Sequence, residues 1–477
     1  EGLIDLSLED LFTTKVKLVS RKAESLASAP AAVFVITRED IRRSAVSTVA
    51  EALRMVPGLQ VARIDANKWA ISARGFNDRF ANKLLVLIDG RSVYTPLFSG
   101  VQWEAQDLLL EDVERIEVVR GPGATLWGAN AVNGIINIIT QNSAKTQGSL
   151  FAGGLGTEES GTVRLRYGGR LDSETTYRVY AKYFDREGFA TAAGEDANDG
   201  WHSTRSGFRL DHSHGRADQL TVQGDLYLNT LSQSSTVAVL DSPFVEARSE
   251  KIDLSGANLL GRWERRFSSA SDLSLQLYYD RTERSEIAHG ETRNTVDADL
   301  QHRLPVGGRQ ELVWGVGYRF SDDDIDNTTA ISILPNKRRT HLLNAFVQDD
   351  VDIVSDRFRA ILGAKVEHND FTGVEFQPNA RLLWALNDRQ TVWAATSRAV
   401  RTPSRAEDGL RSVIGMVPAS LLPEGAPPTF LVVRGSHSFK SETVHALELG
   451  YRLLNPGRYT IDVTSFYNRY GDLRDVG

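Results

Sequence analysis

The most informative part of the chain is Val113-Glu-Arg-Ile-Glu-Val-Val-Arg-Gly-Pro122 followed by Leu126-Trp-Gly-Ala-Asn-Ala-Val-Asn-Gly-Ile-Ile-Asn-Ile-Ile-Thr140. In the first stretch, Glu114–Val119 predicts a β-strand that ends at Gly121-Pro122-Gly123. In the second, polar residues interrupt the apolar run Ala131–Thr140, which falls well short of the roughly 20 residues of a membrane helix. The glycines predict tight turns within a packed domain.

The residues around this region mix helix and strand signals. Thr37-Arg-Glu-Asp40 and Thr48-Val-Ala-Glu51 resemble capping boxes, so each predicts the start of a short helix. Pro57-Gly58 predicts the end of the second helix. Lys83–Asp89 predicts a buried strand, and Asp89-Gly90 predicts a tight turn. The first 145 or so residues therefore predict a compact α+β domain.

After about Gln147 the pattern changes to long strands in which apolar and polar residues alternate. In Thr162–Gly168, for example, Val163, Leu165 and Tyr167 share one face. Alternation alone fits both a soluble sandwich and a membrane barrel. The strands have about the 9–11 residues of a tilted membrane strand, and aromatic residues recur near their ends, which favours the barrel. About 15 such segments lie between Gln147 and Tyr470.

The connections between these strands alternate between short turns and long polar stretches, as in outer-membrane barrels. Short turns are Leu171-Asp-Ser-Glu174, Asn387-Asp-Arg389 and Asn455-Pro-Gly457, and long stretches are Glu187–Ser203, Ser232–Lys251, Ser321–Arg339 and Arg401–Lys440.

Several motifs resemble those of one family, the TonB-dependent receptors. The plug motifs are Ile71-Ser-Ala-Arg-Gly-Phe76, Leu85-Val-Leu-Ile-Asp-Gly-Arg91 and the two stretches quoted first, and the barrel motifs are Phe346-Val-Gln-Asp-Asp350, Ser397-Arg-Ala-Val-Arg-Thr-Pro-Ser404 and Lys440-Ser-Glu-Thr-Val-His-Ala-Leu-Glu-Leu-Gly-Tyr451. The resemblance implies a membrane all-β antiparallel barrel with an N-terminal α+β plug domain inside the lumen. We expect an N-terminal arm at 1–30, the plug at 31–145 and the barrel at 146–477.

A complete barrel of this kind has about 22 strands. We therefore expect the natural protein to continue for several more strands, because an open sheet edge cannot remain in lipid. Position 1 is Glu and no signal peptide is visible, so we expect a mature chain without its leader.

The resemblance also implies a function: TonB-dependent import of a scarce, bulky nutrient across the outer membrane of a Gram-negative bacterium. A ferric siderophore is the expected ligand, and no intrinsic cofactor is expected. The alternatives are import of cobalamin or another ligand, and an outer-membrane protein that binds without transport. A signal transducer is disfavoured, because only about 30 residues precede the plug helices and a signalling domain would be larger. The expected partners are TonB, outer-membrane lipid and lipopolysaccharide, and we expect a monomer.

Composition excludes several other classes. A net charge of −7 argues against nucleic-acid binding, and the absence of cysteine excludes thiolate chemistry. The glycines of Gly121–Gly128 lack the Lys and Ser or Thr that a phosphate-binding loop needs after its second glycine. The sequence shows no recognisable spacing of catalytic residues, so the protein is not expected to be an enzyme.

Two arginines are the candidate residues that hold the plug in the barrel. Arg74 and Arg120 each precede a glycine at a strand end, and the resemblance implies that they pair with carboxylates on the inner barrel wall. Glu448 is the proposed partner, since it lies opposite the apolar face formed by its neighbours. The alternative is that these arginines are ordinary solvated side chains.

The TonB box, a short extended segment that binds TonB by strand addition, is expected within Asp5–Glu24. The proposed residues are Lys15, Val16, Lys17, Leu18 and Val19. An N-terminal arm or a plug strand is the alternative interpretation of the same residues.

Three further candidates concern ligands. Tyr94, Phe98 and Trp103, with Trp201, are candidates for the ligand-binding surface, although aromatic residues pack cores just as readily. Asp322, Asp323, Asp324 and Asp326 form an oxygen-rich cluster that is a candidate calcium site, with a solvated acidic loop as the alternative. His212 and His214 share one strand face but lack a third metal ligand in the sequence. Haem is disfavoured as the ligand, because haem receptors of this family carry a characteristic pair of barrel motifs and this sequence matches the pair only in part.

Overall fold

A computed structural model describes residues 15–16, 24–239, 241, 244–455 and 459–475. The N-terminal part is built on a five-stranded mixed sheet with the order β3-β8-β9-β6-β7, in which only β6 and β9 are parallel. Its helices are α1 Arg38–Ser44, α2 Val49–Ala52 and α3 Ala124–Trp127. Its strands are β1 Lys15–Val16, β2 Glu24–Ser25, β3 Val33–Thr37, β4 Leu59–Arg63, β5 Trp69–Ala73, β6 Leu84–Ile88, β7 Arg91–Ser92, β8 Val113–Arg120 and β9 Gly134–Thr140.

The helix starts expected from the sequence are confirmed. Thr37 accepts a hydrogen bond from the backbone N–H of Asp40, and the Asp40 carboxylate accepts one from the backbone of Thr37, which completes a capping box. Thr48 caps α2 in the same way, whereas the Glu51 carboxylate bonds to the Ser47 N–H. Both helices therefore begin where a side-chain oxygen satisfies a free backbone donor.

The turn between β6 and β7 is the predicted tight turn. Asp89 and Gly90 both have positive φ, at 49° and 84°, as a two-residue hairpin turn requires. Around this hairpin, isoleucines and valines of β3, β6, β8 and β9 form the core of the domain. Burial of these apolar strands is what makes the domain compact.

The C-terminal part contains a 15-stranded antiparallel sheet, the number of strands expected from the alternation. The strands of this part are β10 Gly148–Gly154, β11 Glu159–Arg170, β12 Thr175–Arg186, β13 Trp201–His214, β14 Asp218–Ala238, β15 Val245–Ser268, β16 Ser271–Ser285, β17 Gly290–Val306, β18 Gln310–Asp326, β19 Ile331–Ile333, β20 Lys337–Val354, β21 Phe358–Asn369, β22 Gly373–Asn387, β23 Gln390–Arg401, β24 Leu410–Val417, β25 Thr429–Arg434, β26 Glu442–Asn455 and β27 Tyr459–Gly471, with a helix α4 at Arg405–Gly409. Fifteen of them follow one another in the large sheet, while β19, β24 and β25 form a small separate sheet in the loops.

The large sheet is polar inside and apolar outside. On β14, the side chains of Leu226 and Leu228 are 51% and 60% exposed, whereas Tyr227 and Asn229 face the plug and are 8% and 3% exposed. A soluble sandwich would bury the leucines instead. This orientation resolves the choice that alternation left open in favour of a barrel wall that faces lipid.

The lengths of the connections between strands distinguish the two ends of the barrel. Short turns, such as 355–357 between β20 and β21, lie at one end, and the long loop 402–441 lies at the other. Outer-membrane barrels have short turns on the periplasmic side and longer loops outside. At the short-turn end, Arg359 donates to the Ser28 carbonyl oxygen and pairs with Glu24, so the start of the plug lies on the periplasmic side. Within the ranges that the structure describes, no helix is long and apolar enough to cross a membrane.

The acidic cluster at 322–326 is part of a strand rather than a loop. Because β18 continues to Asp326, its side chains alternate between the two faces of the sheet. Asp323 is buried and pairs with Arg405, while Asp322 and Asp324 pair with Arg339 and Lys337 on β20. The four carboxylates therefore do not converge, and the geometry does not support the predicted calcium site.

Candidate plug–barrel interface and ligand cavity

Arg74 and Glu448 lie together at the interface between plug and barrel. The Arg74 Nη2 is 2.5 Å from Glu448 Oε1, and the two side chains are 5% and 6% exposed. Arg74 has a positive φ of 56°, which turns the chain at the end of β5. The same guanidinium donates to the Arg120 carbonyl oxygen at 2.6 Å and lies 4.1 Å from the Phe466 ring centroid. The residues named from the sequence are thus in contact, and their role as a latch stays a prediction.

Arg120 does not make the expected contact with the barrel. Its Nη1 donates to the Pro57 carbonyl oxygen at 2.7 Å, and no ion pair joins it to a barrel carboxylate within the described part of the chain. The side chain runs back across Gly58, where an added Cβ would lie 3.1 Å from Nη1. Burial lowers the pKa of Arg120. The prediction of a direct barrel partner for Arg120 is therefore wrong, because its guanidinium is bound within the plug.

A second buried ionic contact was not found from the sequence. The Lys83 Nζ of the plug is 2.6 Å from Glu442 Oε2 on β26, and Glu442 Oε1 is 2.8 Å from Arg401 on β23. Arg401 also binds Glu407 of α4 at 2.7 Å. Burial lowers the pKa of Lys83, and the Glu442 carboxylate partly offsets this effect. This network joins the plug, the barrel wall and an external loop.

Carboxylates of the plug segment 104–112 meet basic residues of the barrel wall. The Asp107 Oδ2 is 2.7 Å from Lys182, and the Glu104 Oε1 is 3.1 Å from Arg284. Asp112 binds both Arg166 and Arg178. The partners are far apart in sequence, and no local pattern predicts them. Removing one partner of such a buried pair leaves an uncompensated charge and costs about 3–5 kcal/mol.

The apex of the plug is bound to the external loop that contains α4. The carbonyl oxygens of Pro96 and Leu97 accept hydrogen bonds from the backbone N–H groups of Arg405 and Ala406, both at 2.9 Å. Leu97 also packs with Ala406 and with Ile325 and Ile333 in a small apolar cluster. A capping box between Ser404 and Glu407 starts α4 at this point. The apex and this loop are therefore in direct contact through both backbone hydrogen bonds and apolar packing.

A cavity lies between the plug apex and the inner wall of the barrel. It encloses about 1260 Å³ including its open mouth and reaches the long-loop end, where Asn369, Phe371 and Thr402 line it. Arg205 lines the cavity, is buried, and donates through Nη2 to the Ala105 carbonyl oxygen at 2.7 Å. Its Nε has no hydrogen-bond partner, and no carboxylate of the described ranges forms an ion pair with it. The cavity wall therefore contains a cation without an anionic partner.

The aromatic residues named from the sequence have different positions. Tyr94 lines the cavity, and burial raises the pKa of its hydroxyl. Phe98 stacks on Phe80 with ring centroids 5.2 Å apart and packs beside the Leu97 cluster. Trp103 is 5% exposed within the plug core, so the structure does not support it as a ligand contact. Trp201 is likewise buried, against Trp69 and Phe184. Trp103 and Trp201 both belong to the apolar cluster in which the plug core meets the barrel wall.

The proposed TonB box is only partly described. Lys17, Leu18 and Val19 lie outside the described residues. Lys15 and Val16 form β1, which pairs with β2 at Ser25 and Glu24. The position of the box stays a prediction.

These observations define a class: an outer-membrane β-barrel that is filled by an N-terminal plug. The model of the family described as TonB dependent receptor-like, beta-barrel matches residues 142–476, and that of the TonB-dependent receptor plug domain matches residues 25–135. The chain therefore belongs to the TonB-dependent receptor family.

Similar proteins include an outer-membrane virulence protein, a transporter and a receptor. The iron-regulated outer membrane virulence protein of Vibrio cholerae is 25% identical over 83% of this chain and 60% of its own length. A vitamin B12 transporter of Vibrio cholerae is 25% identical over 76% of this chain, again 60% of its own length. This chain thus spans about 60% of the length of these curated relatives. The crystal structure of a ferric enterobactin receptor mutant from Pseudomonas aeruginosa has a TM-score of 0.73 at 20% identity, over 92% of this chain and 71% of that one.

Proposed function

We propose that this chain carries the plug and the ligand cavity of a TonB-dependent importer of a ferric siderophore. The observation that carries the proposal is Arg205, a buried guanidinium in the cavity wall without a carboxylate partner in the described ranges. A buried charge is costly unless it is paired. An anionic ligand in the cavity would supply the missing partner, and ferric complexes of catecholate siderophores are anionic.

Other residues of the cavity support the same ligand class. Arg91, Arg293 and Arg319 line the same space, and each has a carboxylate partner: Asp280, Glu291 and Asp297, respectively. These pairs hold the three arginines in place at the cavity wall. The iron-regulated relative from Vibrio cholerae agrees with a ligand that carries iron. Cobalamin, the ligand in the name of the other relative, is the alternative that the uptake experiment separates.

The mechanism follows from the two attachments of the plug. A ligand that contacts Tyr94 and Thr95 touches the segment whose next residues, Pro96 and Leu97, bind α4. Binding would therefore alter both the external loop and the plug apex. We propose that TonB then pulls on the arm at 1–30, breaks the contacts of the plug at 31–145 with the barrel at 146–477, and opens a path through the lumen.

Uptake in a receptor-deficient Gram-negative strain tests the proposal. The strain expresses the natural outer-membrane protein that contains this chain, with and without TonB, and receives a panel of ferric siderophores and cobalamin. TonB-dependent accumulation of one ferric siderophore is the expected result. Accumulation of cobalamin alone would establish the alternative, and binding of a ligand without accumulation would show a receptor that does not transport.

A pair of matched variants tests the role of the cavity. Arg205→Gln removes the cation that has no carboxylate partner, and a charged hydrogen bond is worth about 1.5–3 kcal/mol, so ligand affinity should fall about 10–100-fold. Arg281→Gln is the control, because that side chain is 42% exposed and pairs with Glu283 away from the cavity lining. Equal affinity of both variants for the transported ligand would contradict the assignment of Arg205.

A further inference from the structure

Three metal-ligating side chains meet on the outer face of the barrel, at its short-turn end. His212 and His214 lie two residues apart on β13, and Glu174 lies in the turn 171–174 between β11 and β12. One ligand atom from each residue lies within 4.8 Å of the other two, which among the described residues marks this group as able to hold a metal ion. The sequence indicates only the two histidines, and the fold adds the carboxylate.

The backbone holds the three residues in register. Thr175 is paired with His212 across β12 and β13, and the Ser213 N–H donates to the Glu174 carbonyl oxygen at 3.0 Å. The two histidines alternate with Asp211, which is buried against the plug, so they point away from the lumen. Two adjacent strands thus fix the positions from which the ligand atoms extend.

A hydrogen-bond chain sets the tautomer of His212. The Thr175 hydroxyl lies 3.0 Å from Asp172 Oδ2 and 2.9 Å from His212 Nδ1. Both oxygens of Asp172 act as acceptors: the backbone N–H groups of Glu174 and Thr175 donate to Oδ1 at 2.8 and 2.7 Å, and the Thr175 hydroxyl donates to Oδ2. The hydroxyl proton therefore goes to Asp172, and the hydroxyl oxygen accepts from Nδ1–H. This leaves Nε2 of His212 with its lone pair free for a metal.

We propose that Glu174, His212 and His214 form a binding site for a divalent transition-metal ion of the zinc type. Two imidazole nitrogens and one carboxylate oxygen match the ligands that Zn²⁺ prefers, and the exposed position leaves a fourth place for water. Nitrogen ligands disfavour Ca²⁺ and Mg²⁺, which take oxygen. The arrangement of Asp172 and Thr175 behind His212 is the outer-shell support that metal-bound histidines usually have. The site lies outside the ligand cavity, so it does not depend on the proposed transport function.

The proposal is tested by zinc titration of the detergent-solubilised natural protein that contains this chain, without an affinity tag and in competition with a zinc indicator dye. We expect one zinc ion per chain, with affinity reduced at least 10-fold in His212→Gln and in His214→Gln. Thr175→Val keeps all three ligands but removes the acceptor of Nδ1–H, and should weaken binding by about 10–100-fold. His202→Gln is the matched control, since His202 is an exposed histidine on the same face of β13 at its other end.

Two results would overturn the proposal. One is the absence of zinc binding in the micromolar range by the unmodified chain. The other is unchanged stoichiometric binding in His212→Gln, His214→Gln and Glu174→Gln, which would place the ion elsewhere. Circular dichroism of each variant verifies that the barrel is folded, so that a loss of zinc binding can be attributed to the substituted residue and not to unfolding.

Discussion

Replacement of Glu448 by Gln is the most direct test of how the plug is held. The substitution keeps the shape of the side chain and removes the charge that faces Arg74 at 2.5 Å. Removing one partner of a buried ion pair costs about 3–5 kcal/mol. Arg74 keeps its bond to the Arg120 carbonyl oxygen and its contact with Phe466, so we expect the lower end, about 3 kcal/mol.

Hydrogen–deuterium exchange of the plug strands next to this pair measures the change. At about 1.4 kcal/mol for each factor of ten, a loss of about 3 kcal/mol raises the exchange rates of β5 and β8 by about 150-fold. The control is Glu283→Gln, which breaks a pair whose side chains are 42% and 43% exposed and should change stability by less than about 0.5 kcal/mol.

A double-variant cycle separates the pair from its surroundings. Arg74→Gln combined with Glu448→Gln removes both charges, so its cost should be smaller than the sum of the single costs by about 0.5–3 kcal/mol. Exchange rates in β5 and β8 that stay within about threefold of the unmodified protein in Glu448→Gln would refute the role of this pair in holding the plug.

Three further changes test other contacts. Arg401→Met removes the guanidinium that Glu407 and Glu442 share, and should lower the free energy of thermal unfolding by about 3–5 kcal/mol. Arg248→Met, at an exposed ion pair, is the control and should have little effect. Equal melting temperatures of the two variants would contradict this prediction. Gly121→Ala places a Cβ 2.6 Å from Glu448 Oε1 at a φ of +138° and should destabilise β8 by about 1–3 kcal/mol in hydrogen exchange. Gly215→Ala, at a φ of +61° with open space around the added Cβ, is the control without a steric contact and should cost less. Burial acts to raise the pKa of Glu286, but His289 and Arg284 outweigh it and lower the pKa to about 2. Because the folded pKa is the lower one, this stabilisation is complete above about pH 4.5, is lost as the pH falls towards 2, and amounts to about 3 kcal/mol. Pepsin cleavage at 286–289, relative to cleavage at other sites of the protein, should therefore increase over that range, and this increase should be smaller in Glu286→Gln, which lacks the titrating carboxylate.

Much of the plug could be predicted from short segments. The capping residues Thr37 and Thr48, the strand at 84–88 and the turn at Asp89-Gly90 are all formed as expected, because each depends on neighbours within a few residues. The acidic stretch at 322–326 shows the limit of this reasoning. Its aspartates suggested a loop, but pairing with the basic residues of β20 extends β18 through them.

The candidate site could be predicted only where a motif carried information about a distant partner. The contact of Arg74 with Glu448 was expected from the family resemblance and is present, whereas the contact of Lys83 with Glu442 was not expected. In the structure both contacts are buried ion pairs between the plug and the barrel wall. Partners more than 350 residues apart leave no periodic or local signal in one sequence.

Periodicity and turn chemistry specify the strands, their number and the division into an α+β part and a long antiparallel sheet, because backbone geometry alone relates residue spacing to sheet faces. They do not specify which face lies inside. Only the packing of the sheet around the plug assigns the leucines of β14 to the outer face and the arginines of the wall to buried partners. The physical reason is that a charge inside the lumen is costly unless a partner compensates it, and partners such as Glu104 for Arg284 come from the other domain and depend on how the whole chain is folded.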